Sequence, residues 1–531
     1  MDGNPGRRRK HHKSWVTFSN WMVNEGPAQF VAVAWIAIQL ARFGYIVYFY
    51  DTNANYRTMR TVLGWSLPVA RGAAAAITIN CTLILLPVCR NIISSIRSSW
   101  LNRLVPIDKN IKFHKLLGWC ICFWTFVHVG AHMFNFLHLQ QFADGLVAAE
   151  FMNIKTMTGA TGQAASVVLM LMVTSSISTV RRKHFETFWF THHLFVLFFG
   201  LLMVHGDFCV VKSDDPEIGC AGAAFWKFWL ASGILYFVER VVREIRGGMP
   251  THVYKVIQHP SNVVEVQIKK DSCMAKPGQY IFLCCPEISR YQWHPFTLTS
   301  VEQEDFISVH VRATGDWTKD FAGRLGCVWD KKGCVVLEAS PKSRLPRLLV
   351  DGPYGTASED IFDFEISVCV GAGIGVTPFA SILKSIWYRI QNPTSAVRLQ
   401  KVYFYWICRE KEAFEWFVDL LSAIEEQHID RFLSINIYLT GTMNEAEVNN
   451  VMVNHKAGVS DGLTGLRSTT SYGRPNLDLI FQQLARDHAG TDVGVFFCGP
   501  KPLDKQLHAA CNKYTMGDEH ETRFYYRKEN F

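Results

Sequence analysis

The sequence predicts a bundle of six membrane-crossing helices, followed by a small antiparallel β-barrel and a doubly wound α/β domain. Three observations carry this prediction: six long apolar stretches that all precede residue 247, a change to short alternating runs beyond it, and a glycine-rich turn between an apolar run and a helix-like run further on. Composition agrees with a hybrid. Of 531 residues, 49% are hydrophobic and 19% charged, and the mean hydropathy is +0.07. That is too apolar for an ordinary soluble chain and too polar for one embedded throughout.

The apolar stretches run over 28–50, 67–88, 114–137, 162–180, 185–205 and 221–242, each close to the roughly 20 residues that a bilayer requires. The first 27 residues carry Arg7, Arg8, Arg9, Lys10 and Lys13 but no apolar core, which argues against a cleaved secretory signal. With that segment cytosolic, one inside connector holds Arg90, Arg97, Arg103, Lys109 and Lys112, the next holds Arg181, Arg182 and Lys183, and the last helix exits at Arg240, Arg243 and Arg246. This matches the positive-inside rule and puts both termini in the cytosol. Whether the host is the plasma membrane or an endomembrane is not encoded. Arg42 in the first span is read as snorkelling to the outer face.

The net charge of +8 comes from basic residues flanking apolar segments and forms no nucleic-acid stripe. Fifteen cysteines include no C-x-x-C pair, which argues against a zinc ribbon or dithiol redox motif. Cys209 and Cys220 share a short outer loop, where they are either bridged or two unrelated thiols. The one N-x-[ST] triplet starts at Asn80 inside the second span, so no N-glycan is expected there.

Ionisable residues inside a bilayer are costly and point to function. The third span holds His114 and His128, 14 residues apart, and the fifth holds His192 and His205, 13 apart. On a helix, 14 residues rise about 21 Å and fall about 40° short of four turns, so those two imidazoles share a face. A spacing of 13 is off by a further 100° or so, which a kink, a π-bulge or a rotated ligand plane must absorb. Both helices run from inside to outside. His114 therefore lies level with His192, and His128 with His205, and each level offers two imidazoles to one iron. A single membrane histidine usually just packs between helices; four at two matched depths point to two stacked b-type haems. His132, one turn outward of His128, lines an outer pocket, and His193 is read as a structural neighbour.

Beyond residue 247, runs such as 263–269 and 306–313 alternate and are punctuated by turns, giving the barrel to about residue 345. Strand-like and helix-like runs then alternate to the end. The domains are thus 1–27, 28–246, 247–345 and 346–531. Gly371 to Pro378 reads GAGIGVTP at the first strand-to-helix turn, where Gly371, Gly373 and Gly375 allow close approach of a pyrophosphate to a helix N-terminus. The spacing is not that of the dinucleotide G-x-G-x-x-G motif, so a plain tight turn is the competing reading. Trp293 to Ser300 (WHPFTLTS), His310 with Arg312, and Gly315 to Thr318 (GDWT) could aim an arginine, hydroxyls and aromatics at a flat phosphate-bearing ligand. Cys498 ends a later strand, where the sheet edge would hold a nicotinamide.

These segments, with WMVNEG at 21–26, LILLPVCRN at 83–91, THHLF at 191–195, DGPYG at 351–355 and KENF at 528–531, make the chain resemble a known family. It is similar throughout to the catalytic subunits of superoxide-generating NADPH oxidases, of the phagocyte type, the flavocytochrome b heavy chain. The resemblance implies a ferric-reductase-like membrane domain and a ferredoxin-NADP-reductase-like cytosolic unit. It implies haem ligation by His114 with His192 and by His128 with His205. It further implies FAD contacts from Trp293, His294, Pro295, Thr297, His310, Arg312, Trp317 and Thr318, with Phe531 against the isoalloxazine ring. NADPH would meet Ile374, Thr377, Pro378, Arg409, Thr440 and Arg474, with Cys498 near the nicotinamide. Arg409 and Arg474 suit bidentate reading of a 2′-phosphate. Arg60 and His132 resemble residues beside the oxygen site.

Three departures from the family pattern bear on the released oxygen species and on the NADPH contacts: a short outer loop at 207–220, Leu477 where a Trp is usual, and Thr442-Met443 where an aromatic is common. The N-terminal segment lacks a calcium-binding loop, so activation is expected to need other proteins: cytosolic activators, a Rac-type small GTPase and a small stabilising membrane subunit. The implied reaction passes electrons from cytosolic NADPH through FAD and two haems to dioxygen on the opposite side. A ferric-chelate reductase would share the same cofactor chain. A proton channel with a regulatory soluble half, and a haem scaffold with vestigial nucleotide loops, are the readings from other classes.

Overall fold

The computed structural model describes residues 18, 20–103, 105–146, 154–206, 211–220, 224–271, 273–329, 335–338, 345–391, 398–410, 415–427, 429, 431–442, 461–515 and 522–529. The chain divides into two compact units, Ala28–Arg240 and a second made of Met1–Pro27 with Val241–Phe531.

Among the described residues, five helices are long and apolar enough to cross a membrane: Gly26–Thr52, Ser66–Val88, Ile107–Phe142, Met157–Ser176 and Phe185–His205. The sixth expected span coincides with helix Phe225–Gly248, which carries Lys227, Glu239, Arg240, Arg243, Glu244 and Arg246 and falls outside that set. Glu239 is buried and accepts a hydrogen bond from the backbone N–H of Asn91 at 2.8 Å, at the N-terminus of helix Arg90–Arg97. A carboxylate there offsets unpaired N–H groups and the positive end of the helix dipole.

Ala73, Ala76 and Cys81 on the second helix are fully buried, and pack in one cluster with Ile121, Trp124, Val168, Leu169, Phe198 and Phe199. Small residues bring the backbones close, which is how helices gain contact where lipid removes the hydrophobic drive. Phe30, Phe126, Phe190 and Val196 point outward from the bundle. The fifth span is broken into helices Phe185–His192 and Phe195–His205 by a turn at His193 and Leu194. The break absorbs the 100° phase error between His192 and His205. After the fifth span, Cys220 is disulfide-bonded; Cys209 lies outside the described residues.

In the second unit, two antiparallel sheets share one core. Strands β1 (His252–His259), β2 (Val263–Lys269), β5 (Ile307–Arg312) and β6 (Val335–Glu338) form a sheet of order β5-β2-β1-β6. Strands β3 (Tyr280–Cys284), β4 (His294–Thr297) and β7 (Leu349–Tyr354) form the other, of order β4-β3-β7. A bridge between Leu298 and Val309 joins them. Alternation sends Val264, Val266, Ile268, Ile307, Val309 and Val311 inward. Asp351 on β7 is buried and pairs with Arg246 at 2.6 Å and Arg243 at 3.2 Å, and accepts a hydrogen bond from Tyr354 Oη at 2.7 Å.

The remaining strands are β8 (Ile366–Ala372), β9 (Lys401–Cys408), β10 (Leu433–Leu439), β11 (Thr470–Tyr472), β12 (Asp492–Cys498) and β13 (Arg523–Lys528). They make one parallel sheet of order β11-β10-β9-β8-β12-β13. Near-continuous apolar strands such as β8 fit burial on both faces. The order reverses at β8, so the crevice beyond its carboxyl end is the expected ligand site.

Candidate functional site

The bundle brings the four membrane histidines together in the predicted pairs. Ring centroids of His114 and His192 lie 6.2 Å apart, as do those of His128 and His205. Two imidazoles held trans on one metal at roughly 2 Å each would put their centroids about 6 Å apart. The outer partners fix the tautomers. His114 Nδ1 is 2.8 Å from the Ile84 carbonyl and His128 Nδ1 is 2.9 Å from that of Ala70, and a carbonyl can only accept. His192 Nδ1 meets Ser176 Oγ at 3.2 Å and His205 Nδ1 meets Thr161 Oγ1 at 3.1 Å. Each of those hydroxyls already gives its proton to a helix carbonyl, Met172 and Met157, at 2.6 and 2.7 Å, and so accepts from the imidazole. All four histidines therefore carry the proton on Nδ1 and keep the Nε2 lone pair for a metal, the second-shell arrangement of ligating histidines. Gly162 makes room for this: a Cβ there would lie 2.8 Å from His205 Cε1.

His132 stands beside the outer pair, its centroid 4.6 Å from that of His128. Asn135 Nδ2 lies 3.3 Å from its Nδ1, so that the ring accepts there and carries its proton on Nε2, the reverse of the four. Arg60 donates from Nη1 to the carbonyls of Tyr50 and Asn53 at 2.9 and 2.5 Å, which ties it to the loop after the first helix.

Sequence reasoning missed a polar knot inside the bundle. The Asn80 amide donates to Gln39 Oε1 at 2.7 Å, Trp124 Nε1 donates to the same oxygen at 3.0 Å, and Trp35 Nε1 donates to Asn80 Oδ1 at 3.1 Å. Gln39 and Asn80, two amides in apolar spans, were the available signal.

In the second unit, His294 stacks on Trp317 with centroids 4.1 Å apart, and Trp317 stacks on Phe321 at 5.0 Å. Among the described residues, His294 Nε2 and Trp317 Nε1 are buried polar atoms without a hydrogen-bond partner. A flat aromatic ligand with polar edges would supply what they lack. Burial pushes His294 down to about 4, so its imidazole is neutral at neutral pH. Trp293 packs beside Gly247, and Pro295 lies on β4 opposite Phe282. Arg312 at the end of β5 pairs with Glu410 at 2.8 Å. Thr318 Oγ1 accepts from the N–H groups of Thr314 and Gly315 at 3.1 and 3.0 Å, holding the GDWT turn. Phe531 lies outside the described residues.

Thr297 Oγ1 donates to Thr377 Oγ1 at 2.6 Å, which joins the WHPFTLTS strand to the glycine turn. That turn runs from Gly371 through Gly373 and Ile374 into helix Thr377–Gln391, with Pro378 in its first turn. A Cβ at Gly375 would sit 2.5 Å from the Cys498 carbonyl oxygen. Only glycine lets the turn close against the end of β12. Parallel register then places Arg409 after β9, Thr440 after β10, Arg474 after β11 and Cys498 at the end of β12, all on one carboxyl edge. Arg409 and Arg474 are exposed. Burial raises the Cys498 thiol, which is therefore protonated.

Family models match three segments in this order: residues 71–203 the ferric reductase like transmembrane component, 249–358 an FAD-binding domain, and 364–512 the ferric reductase NAD binding domain. Fold and site thus define an integral membrane oxidoreductase with FAD- and NAD-binding domains. The chain is 38% identical to mouse NADPH oxidase 1 over 97% of its own length and 96% of that protein. It is 42% identical to a superoxide-generating NADPH oxidase heavy chain of Dictyostelium discoideum (96% and 98% covered), and 39% identical to human NADPH oxidase 3 (96% and 99%). The chain belongs to the NADPH oxidase family.

Proposed function

We propose that this enzyme oxidises NADPH on the cytosolic side of a membrane and reduces dioxygen to superoxide on the other. The two imidazole pairs at 6.2 Å, with every Nδ1 proton committed elsewhere, are the observation that carries this reading. FAD and two b-type haems, when bound, supply carriers that link a two-electron donor to a one-electron acceptor. His114 with His192 would hold one haem and His128 with His205 the other, and each haem would supply one-electron transfer. His132 presents an Nε2–H donor next to the outer pair, and Arg60 contributes positive charge; both favour an anionic product.

Trp293, His294, Pro295, Thr297, His310, Arg312, Trp317, Thr318 and Phe531 are the proposed FAD contacts. The turn at Gly371, Gly373, Ile374, Gly375, Thr377 and Pro378, together with Thr440, Arg409 and Arg474, would take NADPH. Cys498, a neutral thiol, would bound the nicotinamide. Six crossings, the last on Phe225–Gly248, leave both termini cytosolic; the basic connectors support this orientation. A small membrane subunit, cytosolic activators and a Rac-type GTPase are proposed partners on the resemblance alone.

Purified protein given FAD and NADPH should reduce cytochrome c in a way that superoxide dismutase abolishes. Ferric chelate offered in competition with oxygen separates the reading from a ferric reductase; preferential chelate reduction would reverse it.

A further inference from the structure

Three side chains on β1, β2 and β5, His259, Glu265 and His310, form a cluster of which the oxidase reading uses only His310. Glu265 pairs directly across the ladder with His310, and His259 closes the adjacent strand, so all three lie on the sheet face opposite the apolar core. One ligand atom from each lies within 4.8 Å of the others. His259 Nε2 and His310 Nε2 are each 3.5 Å from Glu265 Oε2.

That separation is long for a charge-assisted hydrogen bond, which settles at about 2.7–2.9 Å. It is instead close to the edge of a coordination tetrahedron: donors each about 2.0–2.1 Å from a zinc ion stand roughly 3.4 Å apart. Outer contacts hold the donors in place. His310 Nδ1 meets Thr299 Oγ1 at 2.9 Å, and Thr299 Oγ1 meets Ser308 Oγ at 2.7 Å. Gln267 Nε2 donates to Glu265 Oε1 at 2.8 Å, leaving Oε2 toward the imidazoles. Such second-shell partners are what orient metal-binding histidines and carboxylates. Trp416 covers His310 with centroids 4.5 Å apart.

Protonation states suit the same use. Burial holds the His310 imidazole in its neutral form. Burial alone would raise Glu265, but the neighbouring histidines and Gln267 outweigh it and keep the carboxyl low, hence ionised. Neutral imidazole and carboxylate are the forms that bind a cation.

We propose that His259, Glu265 and His310 bind one zinc-class divalent ion, separate from the haem irons, which ties β1, β2 and β5 together. Two imidazoles and a carboxylate without sulfur select zinc over copper(I) or an iron–sulfur cluster, with water completing the shell. The ring nitrogens of His310 serve the ion and Thr299, leaving its main chain for the flavin contact that the resemblance implies.

The test uses the full-length protein in detergent, equilibrated with zinc chloride and freed of excess. Zinc per chain is counted by mass spectrometry, and absorption at the zinc K-edge reads the shell without interference from iron. One zinc per chain with two imidazoles and only nitrogen and oxygen donors is expected. His259→Gln and Glu265→Gln should each lose the zinc while keeping haem and FAD content. Retention of zinc in both variants, a sulfur-containing shell, or no zinc in the wild-type protein would overturn the proposal. Should either variant also lose FAD, the wild-type spectrum alone still decides.

Discussion

The membrane unit and the nucleotide-binding unit build their candidate sites in opposite ways. In the bundle, each histidine pair takes one side chain from each of two helices, and spacing along a single helix sets its depth. In the α/β sheet, Gly375, Arg409, Thr440, Arg474 and Cys498 come from five strand ends scattered over 100 residues of chain, and only parallel register brings them to one edge. A helical site is therefore written in local period, whereas a sheet-edge site is written in topology. Damage should follow the same division, all-or-none in the first case and graded in the second.

The largest effect is expected in the bundle. His128→Leu should abolish superoxide production and halve the haem content, while NADPH-driven reduction of a soluble dye persists; superoxide output surviving at wild-type rate would break the comparison. Next is Asp351→Asn, which removes the carboxylate that Arg243 and Arg246 share and should cost the second unit roughly 3–5 kcal/mol, read by thermal unfolding with FAD release. Asp351 is held below its ordinary value although burial opposes this, because Tyr354, Arg246 and Arg243 favour the carboxylate. A carboxyl depressed on folding stabilises above its unfolded pKa of about 4, and that stability is lost as pH falls through the folded value. Wild-type protein should thus lose more stability on acidification below about pH 4 than the Asn variant does.

A graded effect is expected at the sheet edge. Gly375→Ala forces the turn off the Cys498 carbonyl and should lower kcat/KM for NADPH by up to about 10²-fold, with haem spectra unchanged. The smallest effect falls on the N-terminal motif. Asn24 hydrogen-bonds Asn512 Oδ1 and the Phe524 carbonyl at 2.9 and 3.0 Å and accepts from the Tyr526 N–H at 2.8 Å. Asn24→Ala should destabilise the second unit by about 1–3 kcal/mol, seen as a shift in its unfolding midpoint.

This contrast also explains what could be read in advance. The paired depths of His114, His128, His192 and His205 followed from helix geometry, and the phase error at 13 residues called for a kink, a π-bulge or a rotated ligand plane; the structure places a break at His193 and Leu194. Helix Leu477–Asp487 and strands β2 and β12 were visible as periodic runs. Short β11, helix Lys501–Tyr514 and β13 were not, because a three-residue strand carries little period and β13, RFYYRK at the sheet edge, begins and ends in basic residues without alternating. The clasp of Asn24 on β13 spans about 500 residues of sequence, and no local signal announces such a contact. Likewise His259 and Glu265 read singly as ordinary strand residues, and His310 as a flavin contact, until cross-strand register brought the three together.

The most direct test of the account is haem stoichiometry with axial ligation, from the pyridine haemochrome assay and low-temperature electron paramagnetic resonance of the purified chain. Two b-type haems per polypeptide, both low-spin with paired imidazoles, are predicted. One haem, none, or a high-spin iron with an open position would contradict it.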